Sequence, residues 1–354
     1  MQFEPGRLES NLVHRLNVGM AKIPVVLVSG FLGAGKTTLV NHILRGDHGL
    51  RIAVLVNDFG DINIDSELIS NVTGETLALA NGCVCCTIRD DLARAIGDIT
   101  EWQPAPDAII VETSGVSDPA AAAMGLVMSP ALAGRVALDL IVTVVDAEHA
   151  PLLQGDHLAL AREQAQAADI VLLNKSDLVD ARARADVQAW IRDATPHARI
   201  LETEHCRIPD QILFGVDERR LRPVRDDVNG DHAHDHGRQF SNWSWMNAEP
   251  LALEPLYSLC QQLPHGVFRA KGVLHLADVP ARRVLLQVVG RRVQFSKGEP
   301  WRGEPPASRI LLIGADGSMD SGALSGQFEA CLARNAPPST NPFAEAVVNI
   351  LRNH

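Results

Sequence analysis

The chain has 354 residues, 46% of them hydrophobic and 21% charged, enough for about two globular domains with sizeable cores. Its net charge of -11 argues against non-specific nucleic-acid binding, and no apolar run nears the roughly 20 residues of a membrane span. Residues 1–20 are polar and lack a secretory signal core, so a cytoplasmic protein with a poorly ordered N-terminal extension is expected.

The apolar run Ile23-Pro24-Val25-Val26-Leu27-Val28 reads as a buried strand. It leads into Gly30-Phe31-Leu32-Gly33-Ala34-Gly35-Lys36-Thr37-Thr38, which fits the Gly-x4-Gly-Lys-[Ser/Thr] pattern of a phosphate cradle. Glycines let backbone N–H groups turn inward on phosphate oxygens. Lys36 is then expected to reach the β- and γ-phosphates, and the Thr37 hydroxyl to ligate Mg²⁺. A helix over Leu39 to Arg45 adds its N-terminal dipole.

A second apolar strand, Ile52 to Val56, ends in Asn57-Asp58-Phe59-Gly60-Asp61. This strand is expected beside the first one. Ligands in open α/β sheets bind beyond the carboxyl ends of strands, so Asp58 and Asp61 are candidates for Mg²⁺ or transition-metal contact. A solvated acidic turn is the competing reading.

The segment Asn81-Gly82-Cys83-Val84-Cys85-Cys86 holds three of the six cysteines. In extended chain Cys83 and Cys85 share one side. A helix starting near Thr87 would turn Cys86 toward them. Three thiolates leave a fourth position for a carboxylate, histidine or water, which suits Zn²⁺ or another thiophilic ion that must be released. Buried structural cysteines and a redox-active vicinal pair are the alternatives.

Asp107 to Val111 is another strand and ends in Glu112-Thr113-Ser114-Gly115. After a P-loop, an acid here reaches Mg²⁺ and the glycine N–H approaches the γ-phosphate. A helix (Asp118 to Val127), a strand ending at Asp146 and a helix (Leu158 to Ala168) follow. The strand after them runs into Asn174-Lys175-Ser176-Asp177. Asp177 can accept two hydrogen bonds from guanine, with Asn174 and Lys175 bracing the base and the P-loop. A last helix (Val187 to Ala194) and strand (Ile200-Leu201) complete a mostly parallel, doubly wound α/β sheet over residues 21–214.

Residues 215–240 read as a linker containing His232, His234 and His236, an auxiliary metal candidate. Consecutive strands between two helices over residues 241–335 predict a smaller α+β domain with a largely antiparallel sheet. Residues 336–354 form a tail with a short amphipathic helix that docks on either domain.

Taken together, these motifs resemble the CobW-type metallochaperone GTPases, relatives of UreG and HypB. The second half is similar to that family's C-terminal domain through Arg269-Ala270-Lys271-Gly272 and Ser308 to Gly314. Two departures stand out. Asp58 and Asp61 replace the family's usual glutamates, and the base-contacting loop near Glu204-His205-Cys206 has no standard sequence. The resemblance implies a Mg²⁺-dependent GTPase with Lys36 and Glu112 as catalytic residues. It implies nucleotide contacts at Gly30, Gly33, Ala34, Gly35, Lys36, Thr37, Thr38, Gly115, Asn174, Lys175 and Asp177, and Mg²⁺ at Thr37, Glu112 and Asp58. It further implies a transition metal, zinc or cobalt, at Cys83, Cys85 and Cys86, passed on to a client metalloprotein. A homodimer is compatible with it, whereas nucleic acid and membrane are not expected as partners. Cobalt or iron insertion for cobalamin synthesis or a nitrile-hydratase-type client stays open, because thiolates accept all of these metals. A nucleotide-indifferent metal buffer is the alternative from another class.

Overall fold

The structure, a computed structural model, describes residues 22–57, 76–79, 87–215, 240–290, 292–336 and 342–352. These fall into two compact units that meet in sequence between Phe214 and Gly215.

In the first unit, β1 (Ile23–Gly30) is buried at every residue from Val25 on. A strand apolar on both faces needs neighbours on both edges and helices above and below. It sits in a seven-stranded sheet with β2 (Ile52–Asn57), β3 (Thr76–Leu79), β4 (Ala108–Glu112), β5 (Val136–Asp146), β6 (Ile170–Asn174) and β7 (Arg199–Thr203). The order is β3-β2-β4-β1-β5-β6-β7 and every pairing is parallel. Helices α1 (Lys36–Arg45), α2 (Thr87–Ile99), α3 (Pro119–Met128), α4 (Gly155–Gln166) and α5 (Ala181–Ala194) make the crossovers, and the short α6 (Asp210–Phe214) closes the unit.

The sequence reading set β2 directly beside β1. Instead β4 lies between them, pairing with both, and Val28 aligns with Glu112. β2 and β4 are both buried along their lengths, so burial does not sort them; the register of β4 against both β1 and β2 places β4 between the two, with β3 on the outer side of β2. Helix α5 also begins earlier than expected, at Ala181 rather than Val187. The stretch Ala181 to Asp186 has no apolar periodicity, but Asp180 caps it by accepting the Ala183 N–H at 2.8 Å.

In the second unit, β8 (Phe240–Asn247), β9 (Val267–Leu276), β10 (Val279–Val289), β11 (Arg292–Pro300) and β12 (Ser308–Ala315) form an antiparallel sheet ordered β11-β10-β9-β12-β8. Helices α7 (Leu253–Gln261), α8 (Ser321–Ala330) and α9 (Pro342–Arg352) cover one face. The tail helix α9 belongs to this unit: Val347, Val348 and Leu351 enter its core. Phe328 is fully buried there, with ring centroids 5.3 Å from Trp243 and 5.5 Å from Trp245.

Among the described residues no helix is long and apolar enough to cross a membrane. Phe328→Ala empties the centre of the second core. It is expected to cost about 3–5 kcal/mol, seen as unfolding of that unit at lower urea.

Candidate functional site

The carboxyl ends of β1, β4, β5 and β6 bring four loops together. After β1 the backbone turns through Gly30, Gly33 and Gly35 at φ of 140°, 71° and 114°. Gly35 shows why the pattern demands glycine. A Cβ there would come 2.5 Å from Asn174 Nδ2 and 3.1 Å from Cys206 Sγ, on a backbone that L side chains avoid. Helix α1 starts directly at Lys36, so its free N–H groups face the loop. Lys36 Nζ donates to Phe31 O at 3.3 Å across the loop. Ala34 is buried and Thr38 is exposed.

Thr37 Oγ1 donates to Glu112 Oε1 at 2.8 Å. The parallel register of β4 on β1 sets this contact, because it puts a carboxylate at the mouth of the cradle. Glu112 is only 2% exposed. A hydroxyl and a buried carboxylate meeting at one point form the hard-oxygen donor set that Mg²⁺ takes. Beyond Glu112, Thr113 pairs back to Val28 O through its N–H at 2.9 Å. Gly115 follows against the P-loop residue Leu32.

The β6 loop is braced by Asn174, which is buried. Its Nδ2 donates to Ala34 O at 2.9 Å, and its Oδ1 accepts the Cys206 N–H at 2.9 Å. Lys175 is held in the left-handed region at φ 60°. Its Nζ donates to Asp146 Oδ2 at 2.6 Å. Burial opposes the charge on Asp146. The Lys175 hydrogen bond and the His149 and Glu148 N–H groups outweigh it and hold the carboxyl below the usual carboxylate range. A depressed value means the pair's contribution is present at neutral pH and lost only in acid. Asp177 is exposed at the rim of this loop.

Sequence reasoning gave no role to two of these groups, Asp146 as the partner of Lys175 and Cys206 as part of the brace. His205 and Cys206 sit at φ 51° and 55°, and Cys206 Sγ donates to Gly35 O at 3.3 Å. Consecutive positive φ at non-glycine residues marks a loop fixed by its surroundings. No local motif announces it. Burial pushes the Cys206 thiol up to about 12, against a smaller opposing pull from Lys175. The remaining candidates, Asp58, Asp61, Cys83, Cys85, Cys86, His232, His234 and His236, lie outside the described residues.

The family profile described as "CobW/HypB/UreG, nucleotide-binding domain" matches residues 24–202, and the "Cobalamin synthesis protein cobW C-terminal domain" matches residues 240–332. The chain belongs to the CobW/HypB/UreG family. The zinc chaperone CobW of Sinorhizobium sp is 31% identical over 353 residues, covering 88% of this chain and 97% of its own. The zinc chaperone CobW of Pseudomonas aeruginosa is 33% identical over 353 residues, covering 89% and 92%. The zinc-regulated GTPase metalloprotein activator 1 of Schizosaccharomyces pombe is 37% identical over 194 residues, covering 53% and 47%. As a CobW/HypB/UreG protein the chain is a P-loop GTPase.

The described cysteines share one environment. Cys206, Cys260 and Cys331 are all buried, and burial raises each thiol, Cys331 to about 11. All three therefore stay protonated at pH 8 and resist iodoacetamide until the protein is denatured. Peptide mass spectrometry after native labelling checks this. Rapid native labelling of Cys206 would contradict the brace geometry.

Proposed function

We propose that the protein is a GTP-driven zinc metallochaperone, with metal held by Cys83, Cys85 and Cys86 and handed to a client metalloprotein. The observation that carries the reading is the Thr37–Glu112 contact at the mouth of the glycine cradle, on the sheet edge where β3, the strand that precedes the cysteine segment in sequence, also ends. Strand β3 ends at Leu79 and helix α2 begins at Thr87, and the cysteine segment lies between them in sequence. Two relatives named zinc chaperones align over more than nine-tenths of their own length, which supports zinc as the cargo.

In this reading the backbone N–H groups after Gly30 and the start of α1 hold the phosphates, and Lys36 leaves Phe31 O for the β- and γ-phosphates. Asp177 accepts the two guanine donors, while Asn174 keeps the base loop against the P-loop and Asp146 orients Lys175. Thr37 and Glu112 would hold Mg²⁺, with Asp58 as a further candidate. When bound, the ion neutralises charge developing on the β- and γ-oxygens. Glu112 and the Gly115 N–H face the γ-phosphate end.

The sheet order bears on coupling. Three strand spacings separate β3 from β1, about 14 Å at the usual spacing. Any coupling runs through the loops after β2 and β4, including Asp58 and Asp61. GTP stabilises the metal-loaded arrangement of those loops, and hydrolysis releases it. Linkage then requires zinc to bind with different affinity in the GTP and GDP states.

Zinc affinity is measured by chelator competition on metal-free protein with GDP and with a non-hydrolysable GTP analogue. The expected result is at least about fivefold tighter zinc with the analogue, at the low end of ordinary coupling energies, and loss of that difference in Cys83→Ala. Equal affinities would leave a metal buffer beside an unrelated GTPase.

A further inference from the structure

Gln164, in the last turn of α4, is 1% exposed and is not accounted for by packing. Its Nε2 donates to Gly115 O at 3.1 Å and to Ser117 O at 3.1 Å. Among the described residues its Oε1 meets no donor. Two bonds to the loop after β4 thus orient the amide. The helix is anchored independently, since Gln164 O accepts the Thr143 hydroxyl of β5 at 2.8 Å.

On its other side, Gly115 is pressed against the P-loop. A Cβ at Gly115 would lie 2.7 Å from Leu32 Cδ2 and 2.8 Å from the Leu32 backbone N. Gly115 is held between Leu32 and Gln164. The carbonyl that Gln164 holds is in the Gly115–Val116 peptide and the Gly115 N–H is in the preceding one, so Gln164 acts on that N–H by pinning the loop backbone just beyond it, at Gly115 O and Ser117 O. Helix α4 also leads through only three residues into β6, which ends at Asn174. The loop facing the γ-phosphate and the loop reading the base therefore hang from one helix and strand.

We propose that Gln164 is a positioning residue for GTP hydrolysis, setting the Gly115 N–H toward the γ-phosphate so that the site tells GTP from GDP. This rests on the reading that Gly115 faces the γ-phosphate. Gln164 does not touch the nucleotide; it acts through the loop. GDP has no group at that point, so GDP affinity is indifferent to Gln164. That asymmetry separates positioning from a role in folding alone.

The test compares Gln164→Met, which keeps length and volume but removes both donors, with the parent protein. Affinities for GDP and for a non-hydrolysable GTP analogue are measured by fluorescent-nucleotide titration, alongside kcat and the thermal midpoint. The expected result is analogue affinity and kcat each down about tenfold, a loss of the size set by one to two buried hydrogen bonds, with GDP affinity within about twofold. Equal weakening of both nucleotides, or an unchanged kcat, would overturn the assignment. If Gln164→Met destabilises the protein too far for titration, Gln164→Glu reads the same ratio. Thr143→Val serves as a structural control. It lowers the thermal midpoint without changing the GTP-to-GDP affinity ratio, and a changed ratio there would count against Gln164. Gly115→Ala separates this inference from its premise. If Gly115→Ala leaves discrimination intact, the γ-phosphate reading of Gly115 fails. If Gly115→Ala abolishes discrimination and Gln164→Met does not, only the role of Gln164 falls.

Discussion

One buried amide, Asn174, ties the nucleotide half of this protein together. Its Nδ2–H donates to Ala34 O in the P-loop, and its Oδ1 accepts the Cys206 N–H from the loop after β7. Each partner is a backbone group that no strand or helix satisfies. A buried, unmet backbone group is costly, so the three loops hold one another in place. The steric limit at Gly35 follows from the same amide, because Asn174 Nδ2 fills the space a side chain would need. The glycine pattern is thus matched to a residue about 140 positions away in sequence as well as to a phosphate.

The rest of the site is built on register. β1 lies between β4 and β5, so the acid at the end of β4 faces the first turn of α1, and the acid at the end of β5 faces Lys175. Both carboxylates are almost fully buried, and both are met by side chains from neighbouring loops. Buried acids placed this way are polar devices set by topology, and they work only if strand order and register are correct. The second unit has a different logic. Its sheet packs helices on one face around Trp243, Trp245 and Phe328, and the CobW-type C-terminal profile covers most of it.

Local chemistry was legible in the sequence where a function demands a short fixed pattern. The P-loop from Gly30 to Thr38 and Asn174-Lys175-Ser176-Asp177 announce themselves because phosphate and guanine each need several groups from one turn. The α/β and α+β classes were legible from the alternation and clustering of strands. Strand order was not, because the β2 and β4 runs are alike in apolar pattern and in burial, and only the pairing register sorts them. The start of α5 was hidden in Ala181 to Asp186, where a cap and not an apolar stripe defines the helix. Cys206 and Gln164 were invisible for a third reason. Their roles come from contacts 32 to 171 residues apart, and neither residue type advertises a role at that position.

In the proposed function, GTP hydrolysis releases the metal bound by Cys83, Cys85 and Cys86. A single-turnover reaction of zinc-loaded protein with GTP checks this, following phosphate release and zinc capture by a chromophoric chelator in one cuvette. The account predicts that zinc appears in the chelator with the same rate constant as phosphate, and that a non-hydrolysable analogue holds it back. Zinc leaving at one rate whatever nucleotide is bound would contradict it.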